Sequence, residues 1–390
     1  MADRMLIVDD QPEIASLVSS VARDCGYNVD QLHDNKQFAA LVSDWQPTHL
    51  VIDLQMPDVD GIELLRLLAE QGSRARIIIM SGTDNKVIES ARYFGRARGL
   101  DIVGMLRKPF RTAELRDIIS RVRSTPTRED VPISARHLNT ALDNDELWMA
   151  FQPKFRLGTE RAGDCVSGAE ALMRWTREDG TTISPAEFIP LAESAGIMDL
   201  LTARAIDKVL RQMAAWLQDG VELQVAINIS AQNLHSATFT EDFASKCREY
   251  NISPSSVICE LTETTTMQDP TQAMEALTRL RLKGFSLAID DFGTGYSSLV
   301  ILQKLPFSEL KIDRAFVGDC LDSPQSGVIV RAMIDLAHNL GLSVVAEGAE
   351  TGDVVEFLRN NGCDLVQGYF YSRPLKAEEL ISWISSARQC

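Results

Sequence analysis

Residues 168–175 read Gly-Ala-Glu-Ala-Leu-Met-Arg-Trp. As a strand, with its period of two, the run puts Glu170, Leu172 and Arg174 on one face. An acid and an arginine on the inward face of a strand need a reason, and the surrounding sequence offers one. Strand-like runs recur on both sides of it, at 148–152, 166–175, 223–230, 257–262, 286–290, 309–313, 343–347 and 364–367, and helical segments separate most of them. One helix start is well marked, since Ser184-Pro185-Ala186-Glu187 combines a capping box with proline at the first helical position. Eight strands with interleaved helices over roughly 250 residues predict a closed (β/α)8 TIM-like barrel, whose chemistry sits at the carboxyl ends of its strands.

The barrel cannot account for the whole chain of 390 residues. From Met5 to Val122 short apolar runs alternate with amphipathic stretches, the pattern of βα units around a parallel sheet. Strands are expected at 5–8, 28–32, 49–53, 77–81 and 102–106. Between the first two, Ile14, Leu17, Val18 and Val21 recur at helical spacing and give one apolar stripe. The front of the chain is therefore expected to be a (βα)5 doubly wound domain over residues 1–122. Residues 123–132, RSTPTREDVP, carry two prolines and mixed charge without apolar periodicity, which predicts a linker over 123–133 and a second domain over 134–390.

Composition narrows the function. The net charge of −16 argues against non-specific binding to nucleic acid or anionic membrane. No apolar run reaches the 18 or so residues that would span a bilayer, and the first residues, Met1-Ala2-Asp3-Arg4, lack a secretion signal, so a cytoplasmic protein is expected. Seven scattered cysteines and five dispersed histidines offer neither a disulfide framework nor a metal-ligand spacing. Any metal must be held by oxygen.

Oxygen is concentrated at strand ends. In the front domain Asp9 and Asp10 follow Leu6-Ile7-Val8, Asp53 ends the third run, Ser81 the fourth, and Lys108 follows the fifth just before Pro109. Three carboxylates at neighbouring strand ends repel one another unless a cation neutralises them, and Mg²⁺, which demands oxygen ligands, fits. The ring has a chemical logic in which metal and lysine balance charge, Asp53 is the nucleophile for a phosphoryl group, and the Ser81 hydroxyl senses the new phosphate. The segments LIVDD (6–10), VIDLQMPDVDG (51–61), MSG (80–82) and RKPF (107–110) resemble the receiver domain of bacterial response regulators. That resemblance implies Asp53 as the phosphoacceptor, Asp9 and Asp10 as holders of Mg²⁺, and a sensor histidine kinase as phosphodonor. One position departs from the pattern. Met105 stands three residues before the lysine, where many receivers carry an aromatic that swings inward on phosphorylation.

In the rear domain further strand ends add Asn228 in AINIS, Glu260 and Glu263 in CELTET, Asp290 and Asp291 in AIDDFGTGYSS, Lys311 and Asp313 in LKIDRAFV, Glu347 and Glu350 in AEGAE, and Gln367 in QGYF. So many acids on one rim would suffer strong like-charge repulsion if left bare, and metal neutralisation relieves it. This ordered set resembles the EAL phosphodiesterase domain, which hydrolyses cyclic di-GMP to its linear dinucleotide pGpG. The resemblance implies Glu170, Asn228, Glu260 and Asp290 as ligands of one Mg²⁺ or Mn²⁺, Asp291 on a second cation and Glu347 as support for the metal centre. It makes Lys311 the group that positions or activates the attacking water. Glu263 would steady residues 291–298, whose Gly293 and Gly295 permit tight turns. Arg174 would grip a phosphate, with Gln152, Leu172 and Gln367 as substrate contacts. No diguanylate-cyclase motif of the GGDEF kind occurs, so synthesis of the dinucleotide is not expected.

A sensor that captures the dinucleotide without cleaving it, and a scaffold whose receiver competes for kinase phosphate, are the competing readings. The complete ligand set speaks against the first, and phosphotransfer without any nucleotide effect would favour the second. A homo-oligomer, pairing near the loop after Asp290 and activated by phosphorylation, is expected from the resemblance alone.

Overall fold

The computed structural model describes residues 3–33, 37–57, 59–73, 75–82, 85–124, 133–158, 165–293 and 299–387. The chain divides into two compact units, Met1–Asp130 and Val131–Cys390. Most of the expected linker, 125–132, lies outside the described residues, and Arg123 still belongs to the helix Thr112–Ser124.

In the first unit β1 (Arg4–Val8), β2 (Asn28–Leu32), β3 (His49–Asp53), β4 (Arg76–Ser81) and β5 (Asp101–Arg107) form a parallel sheet in the order β2-β1-β3-β4-β5. The central run, His-Leu-Val-Ile-Asp, is buried throughout because it is covered on both faces. Alternation sorts its neighbours into two cores. Leu6, Val8, Leu50, Ile52, Ile77 and Ile79 pack on one side, and Met5, Ile7, Val51, Ile78 and Met80 on the other. Helices fill both layers, as the doubly wound reading requires.

In the second unit the barrel strands are β6 (Leu147–Arg156), β7 (Cys165–Thr176), β9 (Gln224–Asn228), β10 (Val257–Thr262), β11 (Ser286–Phe292), β12 (Glu309–Ile312), β13 (Ser343–Glu347) and β14 (Leu365–Gln367). The two-residue strand β8 (Thr182–Ile183) only extends the edge of β7. Hydrogen bonding runs β6-β14-β13-β12-β11-β10-β9-β7, and β6 pairs with β7 to close the ring. One feature differs from a regular (β/α)8 barrel. β6 is antiparallel to both its neighbours, because only residues 157–164 separate it from β7 and no crossover helix fits in that length. The helix start at Ser184 is present, but the Ser184 hydroxyl accepts from the Ala186 amide rather than from that of Glu187, so the capping-box geometry is not formed.

Alternation again sets the two surfaces of the barrel wall. Val225, Ile227, Val257, Cys259, Leu261, Leu287, Ile289, Leu310 and Val344 pack outward against the helices. Their neighbours Ala226, Ile258 and Ala288 form a small apolar floor inside. Above that floor the inward positions are charged.

Candidate active site

Glu260 occupies the middle of that charged layer. It follows Cys259 on β10, is paired in register with Asn228 of β9 and Ala288 of β11, and is fully buried. Its Oε2 accepts from Lys311 Nζ at 2.9 Å. Lys311, fully buried on β12, also lies 2.7 Å from Glu347 Oε1, 3.2 Å from Asp290 Oδ2 and 3.5 Å from Glu170 Oε2. Glu170, Glu260 and Asp290 can each offer an oxygen within 4.8 Å of the others, and so can Asp290, Asp291 and Glu347. Asp290 thus belongs to both groups.

Asp290 and Asp291 are consecutive, and in a regular strand consecutive side chains point to opposite faces. The β11–β12 register shifts between Ile289 and Phe292, and Asp291 takes a left-handed φ of 54°. This irregularity brings both carboxylates to the same side, the kind of re-aiming that bulges perform at functional rims. Asp290 Oδ1 accepts from the Asp291 amide at 2.9 Å.

The amides and the arginine surround the acids. Asn228 Nδ2 donates to Glu170 Oε1 at 3.0 Å, and Gln367 Nε2 donates to Glu170 Oε2 at 2.8 Å and to Gln152 Oε1 at 3.0 Å. Leu172 and Arg174 line, with Asn228, Ser230 and Thr262, a cavity of about 280 Å³ beside the acids. Glu263 opens the helix Glu263–Gln268, and its Oε2 accepts from the Gly293 amide at 3.2 Å. The rest of the expected loop, 294–298 with Gly295, lies outside the described residues. Asp313 caps the helix Arg314–Gly318 through the Ala315 amide, and Glu350 is exposed, outside either acid group.

The electrostatics of the cluster bear on what it could hold. Burial, opposed by Lys311 and reinforced by Asp290 and Glu170, pushes the Glu347 carboxyl up to about 8. Burial and the nearby Asp290 and Asp313 carboxyls push Asp291 to about 7, and burial likewise raises Glu170. Glu260 goes the other way. Burial is outweighed by Lys154 and Lys311, which hold its carboxyl down at about 2. Acids that resist ionising in the absence of a cation, with the buried Gln367 Oε1 unpartnered among the described residues, fit an oxygen-bound divalent ion.

Two residues here escaped the sequence reading. Lys154 on β6, 2% exposed, donates to Glu260 Oε1 at 2.7 Å and to Glu309 Oε1 at 3.0 Å. The available signal was the period of two, which puts Lys154 on the face of Gln152 inside an apolar run.

In the first unit the expected ring assembles at the carboxyl edge of the sheet. Lys108 Nζ donates to Asp53 Oδ2 at 2.6 Å and to Asp9 Oδ2 at 2.7 Å, and Asp9, Asp10 and Asp53 can each offer an oxygen within 4.8 Å of the others. Ser81, fully buried, ends β4, and its carbonyl accepts from the Lys108 amide at 2.8 Å. Burial raises the Asp53 pKa despite Lys108, and Lys108 is itself raised because Asp53 and Asp9 outweigh its burial. Asp10 Oδ1 is buried without a partner among the described residues, which suits a cation ligand. Met105 is half-buried against the core that holds Ile79 and Ile102.

Comparison with known proteins gives the family of each unit. The model of the EAL domain matches residues 135–374. The chain belongs to the EAL-domain family. Its front unit is a response regulator receiver domain, whose model matches residues 5–120. The cyclic di-GMP phosphodiesterase RocR of Pseudomonas aeruginosa is 30% identical over 98% of this EAL protein and 99% of its own length. The bifunctional diguanylate cyclase/cyclic di-GMP phosphodiesterase MucR of the same organism is 37% identical over 64% of this chain but only 36% of its own length. A solved structure titled PaMucR phosphodiesterase, c-di-GMP complex, superposes with a TM-score of 0.59 at 37% identity, covering 63% of this chain and 98% of that one.

Proposed function

We propose that the chain is a two-component response regulator that hydrolyses cyclic di-GMP to linear pGpG by two-metal phosphodiester hydrolysis, under the control of phosphorylation at Asp53. The observation that carries this reading is the convergence of Glu170, Glu260, Asp290 and Glu347 on the buried Lys311 at one end of a barrel. An end-to-end relative named as a cyclic di-GMP phosphodiesterase supports the substrate. Glu170, Asn228, Glu260 and Asp290 would hold one Mg²⁺ or Mn²⁺ and Asp291 the second, with Glu347 bracing the pair; the donor set is all oxygen, as these ions prefer. Bound there, the two cations supply a water of lowered pKa and stabilise charge on the phosphoryl and departing oxygens.

The side chains do the rest. Lys311, pinned by carboxylates on several sides, is held where it can orient the attacking water. Arg174 draws one phosphate towards the acids, and Gln152, Leu172 and Gln367 shape the space beside it. Glu263, through Gly293, holds the start of residues 291–298 against the rim. In the receiver, Asp53 would accept the phosphoryl group from a sensor histidine kinase, Asp9 and Asp10 would hold Mg²⁺, and Lys108 and the Ser81 hydroxyl would receive the new phosphate. Residues 123–133 join the domains 1–122 and 134–390, and phosphorylation raises turnover by rearranging a homo-oligomer in the cytoplasm. Among the described residues no helix is long and apolar enough to cross a membrane.

Chromatography of cyclic di-GMP incubated with the full chain and Mg²⁺ tests the catalytic part. The wild type should yield pGpG, and Glu170→Ala, with its fold retained, should yield none. Unchanged turnover and unchanged mass after treatment with an acyl phosphate would remove the regulatory part.

A further inference from the structure

The Glu260 carboxylate is gripped from two sides by different lysines. Lys311 Nζ takes Oε2 at 2.9 Å and Lys154 Nζ takes Oε1 at 2.7 Å. A carboxylate has about four lone-pair directions, so one on each oxygen stays free for a cation. The final torsion of a glutamate is broad and selects no plane for the carboxylate by itself. Two ammonium groups on opposite oxygens do select one.

Lys154 is held in turn. It comes from β6, the strand that runs against its neighbours, one pleat beyond Gln152, and it is 2% exposed. Its other partner is Glu309 Oε1 at 3.0 Å, one pleat before Lys311 on β12 and 6% exposed. Burying a charge is costly unless it is paired and hydrogen-bonded, and each of these three groups has its charge partner inside the barrel. Five carboxylates, Glu170, Glu260, Asp290, Glu309 and Glu347, touch these two lysines, an excess of three negative charges when all five are ionised.

We propose that Lys154 and Glu309 form a positioning pair that fixes the plane of the Glu260 carboxylate and thereby the geometry of the divalent-cation site. Neither touches the substrate; both act through Glu260. The proposal rests on the metal-dependent reading of the barrel given above. Groups that orient a metal ligand typically change metal affinity or activity by 10- to 100-fold when removed.

The test separates positioning from support of the fold. Lys154→Met keeps the length of the side chain and leaves Glu260 and Glu309 short of a partner, so it should lower the melting temperature of the metal-free protein. Lys154→Met/Glu309→Gln removes one of the stranded charges and should recover much of that loss. If the pair positions Glu260, the double variant must still bind Mn²⁺ at least about tenfold more weakly, read from free Mn²⁺ by electron paramagnetic resonance with Asp9→Ala/Asp10→Ala added to every protein compared so that the front unit holds none. Its kcat on cyclic di-GMP should fall by a similar factor with KM changed much less. Recovery of Mn²⁺ affinity and kcat along with stability would reduce Lys154 to a fold-supporting charge and overturn the proposal. Should the double variant not fold, Lys154→Gln, too short to span both carboxylates, carries the same two readouts. A wild type that binds Mn²⁺ without cleaving cyclic di-GMP would sink the catalytic reading while the Mn²⁺ arm still decides this one; a wild type that binds no Mn²⁺ would sink the positioning pair as well.

Discussion

Lys311→Met asks most of the site. Methionine nearly preserves the volume of the fully buried lysine but removes the one cationic side chain that, among the described residues, reaches Glu170, Asp290 and Glu347 together. Breaking a buried ion cluster by deleting one partner costs about 3–5 kcal/mol. The acids can take up protons, so the lower figure is expected here. For a unit of this size about 1 kcal/mol moves the midpoint by roughly 2–4 °C, which makes the expected drop roughly 6–12 °C in chelator. A divalent cation held by the same carboxylates would neutralise them as well. Excess Mg²⁺ or Mn²⁺ should therefore shrink the drop, and the variant should gain more from metal than the wild type does. Turnover should nonetheless fall by about 10²–10⁴, the range for loss of a group that manages the reacting water and its proton. Scanning calorimetry of the full chain, with and without metal, and product chromatography read the two quantities. An equal drop in both conditions, or turnover within tenfold of wild type, would refute the idea that Lys311 and the cations share one set of carboxylates.

The other expectations are narrower. Asp53→Asn should abolish formation of a base-labile acyl phosphate from a small phosphodonor while leaving the barrel transition unmoved; label on the variant would shift the phosphoacceptor elsewhere. Gly368→Ala should cut turnover at least tenfold, because a Cβ there overlaps the backbone of Ala349 and must push Gln367 away from Glu170; a variant as active and stable as wild type would contradict the close packing. His49, 1% exposed, is held neutral by burial, which lowers its pKa from 6.5 to about 4. The unfolded chain binds that proton between those values and the native one does not, so receiver stability is full above 6.5 and is lost as pH falls towards 4. At pH 5 the loss should be about 2 kcal/mol in chemical denaturation, and His49→Leu should remove that slope.

Much of the site could be read because a period of two needs no tertiary knowledge. Glu170 in 168–175, Asn228 in AINIS and the first glutamates of CELTET and AEGAE alternate with apolar residues that pack outward, so their inward placement could be read from spacing, while their roles came from the resemblance. Spacing says which face a side chain takes but not which way the strand runs. The antiparallel β6 was invisible for that reason, although the short 157–164 connection excluded a crossover helix. The pair Asp290–Asp291 marks a second limit. Regular alternation separates them, and only the register shift and the left-handed Asp291 bring both to one rim.

Lys154 and Glu309 show why buried charge is the hardest feature to read from a sequence. Lysine and glutamate are almost never fully buried unless paired, so each alone reads as a surface residue. The pairing that makes burial tolerable joins positions 106 and 155 residues apart. No local pattern carries that information. It exists only once the ring has closed through β6, the strand whose reversed direction the spacing could not reveal. The reversal and the buried lysine are therefore one observation: without β6 closing the ring between β7 and β14, nothing would deliver an ammonium group to Glu260 Oε1 from the side opposite Lys311.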